Sequence, residues 1–182
     1  MRKLQEFPAE AHGLISIIHM LCKIRGTDKV TKYFPHEAQD FEPLIYTLAA
    51  LSLDENSPFE SNYVLMLWLS LILMMPFTLS ILDSHICDKF FLKIDEKVKD
   101  KMLLKFDELN IEDVIIILCK IFLNSMSRVN DAASICLGRF FTRDDIKKQG
   151  LLVQYTNWAS SIIKRDYYNP LQAFMIVGIM KS

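Results

Sequence analysis

The chain has 182 residues, 51% of them hydrophobic, with only 5 Gly and 6 Pro, a composition far too apolar for a disordered tail. Its 21 basic and 22 acidic residues leave a net charge of -1. That balance provides no electrostatic footprint for nucleic acid and none for a dedicated acidic-membrane binder.

The length suits one domain, or about four helical repeats of about 40–47 residues each. Cys22, Cys87, Cys119 and Cys136 lie far apart among apolar neighbours and form no C-x-x-C pair. Such cysteines behave as small hydrophobes, and the pattern fits a reducing, cytosolic compartment; no cofactor or metal is expected. The amino-terminal MRKLQEFPAEAHGL starts with two basic residues, but Glu6 and Glu10 fall where the apolar core of a secretory signal should be, so no signal is expected.

From the amino terminus, Pro8 suits a first helical position, and Leu14, Ile17, Ile18, Leu21, Cys22 and Arg25 follow at helical spacing up to Gly26. A short stretch over Asp28–Phe34 stops at Pro35. Pro43 then opens a run with Leu44, Ile45, Leu48 and Leu51 on one side. Ser57-Pro58-Phe59-Glu60 reads as a capping box with proline in the first turn, starting the most apolar helix and ending it near Met75 before Pro76.

The uncharged stretch Tyr63–Leu82 is about as long as a membrane span. Its flanks are acidic, Glu60 and Asp83, with no Lys or Arg to orient it, and Pro76 falls where a spanning helix would have to continue. A helix buried between neighbours is therefore expected, with a single membrane span as the alternative.

Between residues 86 and 109, apolar and charged residues interleave. Lys89, Lys93, Lys97, Lys101 and Lys105 recur every four residues beside Phe90, Ile94, Val98, Met102 and Phe106. A step of four drifts by about 40° around a helix, so the lysines make a slanted row, read as the solvated edge of an amphipathic helix. Five interspersed acidic residues from Asp95 to Glu108 blunt a reading as a patch for an acidic partner.

Asn110 with Asp113 caps the next helix, and Arg128–Phe141 forms another. Thr142 with Asp145 suggests a cap on a short helix that Gly150 breaks. Leu151–Lys164 and Asn169-Pro170 to Lys181 complete the set. Seven to nine helices with short connections and no strand pattern make an all-α chain. Several are apolar nearly all round, as helices in a stack are, which favours an α-solenoid over a bundle. The apolar run Ala173–Lys181 has no polar capping repeat after it, so 1–182 reads as a single solenoid segment and is expected to be a fragment of a longer repeat protein.

In Arg128–Phe140, the small residues 132, 133 and 138 allow a close helix approach while Val129, Cys136, Leu137 and Phe140 fill a groove. This resembles the second helix of a HEAT repeat. Three longer blocks are similar to the tubulin-folding cofactor D family. They are Leu14–Ile45, with CKIRG, FPHE and EP; Glu60–Asp83, with LWLS, PF and LD; and Asn130–Ala159, with DAA, RF, TR and a Trp helix. No comparable match covers Ile86–Leu109, which reads as a lysine-rich helix or insertion, or the last fifteen residues.

The resemblance implies a HEAT/armadillo-like α-solenoid segment of about four repeats from a large cytosolic scaffold. In that family the scaffold holds β-tubulin, joins it to α-tubulin delivered by cofactor E, stimulates GTP hydrolysis by tubulin together with cofactor C, and is regulated by an Arl-type small GTPase. A generic protein-interaction scaffold without tubulin binding is the alternative, and neither nucleic acid nor membrane is an expected partner.

The residues spell out no catalytic set. His36, Glu37 and Asp40 could be drawn as a metal or acid–base group, but FPHE lies at a proline-marked turn and reads as packing or capping. His12 and His19 share a helix face without a third ligand. Arg139 and Arg143 suggest an arginine finger, yet the resemblance assigns the stimulating arginine to cofactor C, so they read first as ion-pair residues of the solenoid. Their second role, with Lys147 and Lys148, would be electrostatic contact with an acidic tubulin surface.

Overall fold

Helices are the only regular elements among the described residues of this computed structural model, which are 9–35, 37–52, 54, 56–76, 79, 110–169 and 172–182. In chain order they are α1 (Ala9–Arg25), α2 (Thr27–Thr31), a 3-10 turn (Ala38–Asp40), α3 (Phe41–Ser52), α4 (Phe59–Ile72), α5 (Ile111–Leu123), α6 (Val129–Thr142), α7 (Asp144–Lys147), α8 (Leu151–Asp166) and α9 (Ala173–Lys181). The lysine row of 86–109, His36 and Cys87 lie outside the described residues.

Successive helices pair, and the pairs stack. α1 packs on α2, α3 on α4, α5 on α6 and α8 on α9. One layer runs α1, α4, α6, α9, and a second begins with α3 against α5. Helix pairs stacked through a continuous first layer make an α-solenoid segment of about four repeats. α4 and α6 sit at its centre. Met66, Leu69, Ile72, Ala132, Ala133, Cys136, Leu137 and Phe140 are all fully buried there. At about 1.5–3 kcal/mol for each large side chain, this seam supplies much of the hydrophobic stabilisation.

Positive-φ glycines stand at two of the junctions. Gly26 (φ 86°) ends α1 and Gly150 (φ 71°) separates α7 from α8, both in a region that side chains with a Cβ rarely adopt. Asn110 opens α5 with the expected capping box: its own N–H donates to Asp113 Oδ2 at 3.3 Å.

Three local expectations are corrected. Ser57 does not cap α4, because Pro58 occupies the cap position with extended backbone (φ -61°, ψ 125°); the Ser57 hydroxyl instead accepts from Asn62 Nδ2 at 2.8 Å. α4 also ends at Ile72 rather than near Met75. Thr142 continues α6 instead of capping α7, since its hydroxyl donates back to Arg139 O at 2.7 Å, as a residue within a helix does.

The end of α4 bears on the membrane alternative. A helix of 14 residues is about 21 Å long, short of a hydrocarbon core of about 30 Å. No helix among the described residues is long and apolar enough to cross a membrane.

α1 divides its apolar residues between two faces. Ile15, His19 and Cys22 point inward onto α4, while Leu14, Ile17, Met20 and Ile24 remain 52–73% exposed. His19 lies edge-on to Phe59 (5.4 Å) and Tyr63 (5.3 Å), and its Nε2 has no hydrogen-bond partner. Burial pushes the imidazole below its usual pKa of 6.5, and Lys23 adds to the effect. At the other end, α9 is tied to α6 by polar contacts. Asn130 Nδ2 donates to Leu123 O (2.5 Å) and Phe174 O (2.7 Å), Ser134 Oγ donates to Gly178 O (2.9 Å), and Lys181 pairs with Asp131 (2.6 Å).

Candidate partner-binding surface

Arg139 and Arg143 lie one helical turn apart at the end of α6, facing the carboxyl end of α4. A helix end leaves its last carbonyls without intrahelical partners and carries a partial negative charge. Arg143 meets both needs. Its Nη1 donates to Leu73 O at 2.7 Å and Met75 O at 3.2 Å. The other edge of the guanidinium grips Asp145 through Nε (3.0 Å) and Nη2 (2.8 Å). Only 8% of the Arg143 side chain is exposed, and its hydrogen bonds, aided by its charge, hold the Asp145 carboxyl below the usual range. Arg139 is half-buried, and its Nη1 donates to Ser70 Oγ at 2.9 Å.

Both arginines border a hollow of about 420 Å³ between the end of α4 and the turn after α6. Lys147 and Lys148 do not line it. They stand exposed on and just after α7, with Lys147 paired to Asp144 at 3.2 Å. An exposed pair of this kind contributes little to stability and exchanges readily for another anion. Of the four residues, the two lysines therefore present charge outward, whereas Arg143 is committed to the repeat junction.

A second basic position escaped notice in the sequence. Lys120 extends over the Trp158 ring, with Nζ 4.3 Å from its centroid, in a groove of about 380 Å³ between α5 and α8. Burial pushes its ammonium down to about 8, opposed by Asp113. Trp158 is the outer rung of a ladder through Tyr155 (5.4 Å) and Phe141 (5.1 Å) to Phe140 (5.2 Å). The available signal was one lysine inside IIILCKIFL, the only charge in an otherwise apolar run.

The motifs of the sequence blocks find structural roles. Trp68 Nε1 donates to Pro35 O at 2.6 Å, joining LWLS to the FP turn, and Phe34 beside it is buried. Cys22, Cys119 and Cys136 are free and buried. Among the described residues no group of three His, Cys, Asp or Glu side chains could hold a metal ion.

The family described as "Tubulin-specific chaperone D-like, ARM repeat" matches residues 2–163, a span that stops short of α9. Tubulin-folding cofactor D of Schizosaccharomyces pombe is 28% identical over 136 residues, which is 75% of this chain and 10% of the relative. The chain thus spans about a tenth of that relative's length. No solved structure matches it.

Proposed function

The chain belongs to the tubulin-specific chaperone D-like ARM-repeat family, and from that premise we propose that it is a tubulin-chaperone segment that binds β-tubulin and assists its assembly with α-tubulin. The carrying observation is the family match over residues 2–163, from α1 to most of α8. The fold supports the reading because a stack of helix pairs offers extended surface to a protein partner.

On this reading the chain contributes no chemistry of its own. Any stimulation of GTP hydrolysis by tubulin arises with cofactors C and E, under an Arl-type small GTPase, in the cytoplasm. Lys147 and Lys148 are the contacts with tubulin's acidic surface, and Arg139 supports them from the edge of the hollow. Arg143 works indirectly, by holding the turn that carries both lysines. Charged groups at a rim chiefly set the association rate and its salt dependence.

The test is co-precipitation of purified tubulin with the intact chain at low and moderate salt. The expected result is salt-sensitive capture of tubulin that falls several-fold in the double variant Lys147→Glu, Lys148→Glu. Capture unaffected by the double reversal would remove the lysines from the interface. No capture at either salt would sink the binding claim for this segment.

A further inference from the structure

We propose that the groove between α5 and α8 is a docking site for an acidic peptide segment of a partner protein, with Lys120 receiving a carboxylate and Trp158 an adjoining apolar side chain.

The groove exists because the two layers continue unequally. α9 stacks directly on α6, but α5 and α8 border an opening instead of closing on one another. From α5 it is lined by Asp113, Ile116, Ile117 and Lys120, a repeat of three and four residues that defines one helix face. From α8 the matching face includes Leu151, Tyr155 and Trp158. The volume of about 380 Å³ falls within the range of ligand clefts and admits a few side chains rather than a whole helix.

Charge decides the occupant. Among the described residues Lys120 is the one basic side chain lining the groove, and it makes no ion pair with any of them. Asp113, the one acid there, sits two turns away at the start of α5, where it accepts from the Asn110 N–H. The ammonium rests on an aromatic face instead, and no described residue accepts a hydrogen bond from it, so its N–H groups can serve an anion. Burial weakens its hold on the proton, so a carboxylate arriving there would restore the charge that desolvation disfavours. Gln154, Asn157 and Ser161 on the rim can hydrogen-bond a peptide backbone, while Ile116 and Trp158 supply apolar area beneath. This inference is independent of tubulin binding by the lysines on and after α7.

The test uses the intact chain and two synthetic probes, acetyl-Leu-Glu-Phe-Glu-Leu-amide and the same peptide with Gln for each Glu. Calorimetric titration should show the Glu probe binding about tenfold or more tightly than its Gln twin, the scale of one charge-assisted contact. In Lys120→Met, which keeps the aliphatic stem over Trp158, that preference should vanish. As a second readout, the lysine side-chain NMR signal of Lys120 should titrate at higher pH with the Glu probe bound and should not move with the Gln twin. Equal affinities, no binding of the Glu probe by about 1 mM, or a preference that survives Lys120→Met would each overturn the proposal. So would free glutamate competing as well as the peptide, or a dimer of the chain closing the groove in sedimentation. Should the variant fail to fold, the Lys120 titration in the unaltered chain still decides.

Discussion

α1 and α4 are neighbours in one layer, and both are rich in Leu, Ile and Met, yet they meet opposite fates. α4 is enclosed by α1, α2, α3 and α6, and its apolar residues are buried almost all round. Among the described elements α1 packs chiefly on α2 and α4, and it leaves Leu14, Ile17, Met20 and Ile24 in the open. α9 repeats the pattern at the other end, with Phe174, Val177 and Met180 about half exposed or more. Apolar composition therefore does not decide burial in a stack; position does. A helix with neighbours on every side converts its side chains into stability, and the same side chains at an end contribute little.

That contrast can be broken at its strongest point first. Met66→Ala in α4 should remove about 2–5 kcal/mol, because the side chain is fully buried and its neighbours are fixed by two layers. Chemical denaturation would measure it, and a loss below about 1 kcal/mol would mean that the seam repacks freely.

Gly178→Ala tests whether α9 is held as closely as its contacts imply. A Cβ there would lie 2.6 Å from both Asn130 amide atoms and 2.8 Å from Leu123 Cδ2. Overpacking of this kind costs about 1–3 kcal/mol. Hydrogen exchange should show α9 losing protection ahead of α6, and equal protection in variant and parent would refute the tight approach.

Arg143→Met should cost a similar or slightly smaller amount, about 1–3 kcal/mol, by leaving Leu73 O and Met75 O without this donor and Asp145 without its ion pair. The loss should shrink in acid, where Asp145 takes up a proton. A neutral result in thermal melts would show that water replaces the guanidinium.

His19 supplies a pH-dependent comparison at the α1–α4 contact. Its folded pKa lies below the usual 6.5, so the unfolded chain binds the proton more readily. The contribution of neutral His19 is complete above about 6.5 and declines as pH falls from there through the lower folded value. Urea midpoints at about pH 7.5 and 5.5 should separate more in the parent than in His19→Phe. Identical separations would remove His19 from the account.

The smallest effect should come from the outer face of α1. Ile17→Ser, at a residue 59% exposed, should alter stability by no more than about 0.5 kcal/mol. A larger loss would show that something covers this face in solution.

Much of the architecture was legible because it depends on short-range signals. Gly26, Gly150 and the Asn110–Asp113 pair mark three helix boundaries through backbone conformation and capping alone. The paired alanines of α6 announce a close approach, and both are fully buried. Long-range effects were illegible. α4 stops at Ile72, and the carbonyls just past its end are taken by Arg143, seventy residues away from Leu73. The small residue at 138 suggests a close helix approach, but a Cβ there would meet only Ser182 O at 3.8 Å; the tight contact falls at Gly178 instead. Spacing brings Arg139, Arg143, Lys147 and Lys148 near one another, yet it is the packing of α6 on α4 that turns Arg143 inward while the lysines face out. Lys120 needed both a helix face and Trp158, thirty-eight residues on, before its setting had meaning.

Arg143 has a further consequence for how the segment comes apart. It stands at the end of α6 but caps the end of α4, so fraying of either helix end removes a partner from the other. Two termini that would otherwise open independently are thereby made to open together. In an array of nearest neighbours, one such shared terminus raises the cooperativity of the central pair above that of the ends. The two central helices should therefore exchange their terminal amides at a common rate, while α1 and α9 each keep their own.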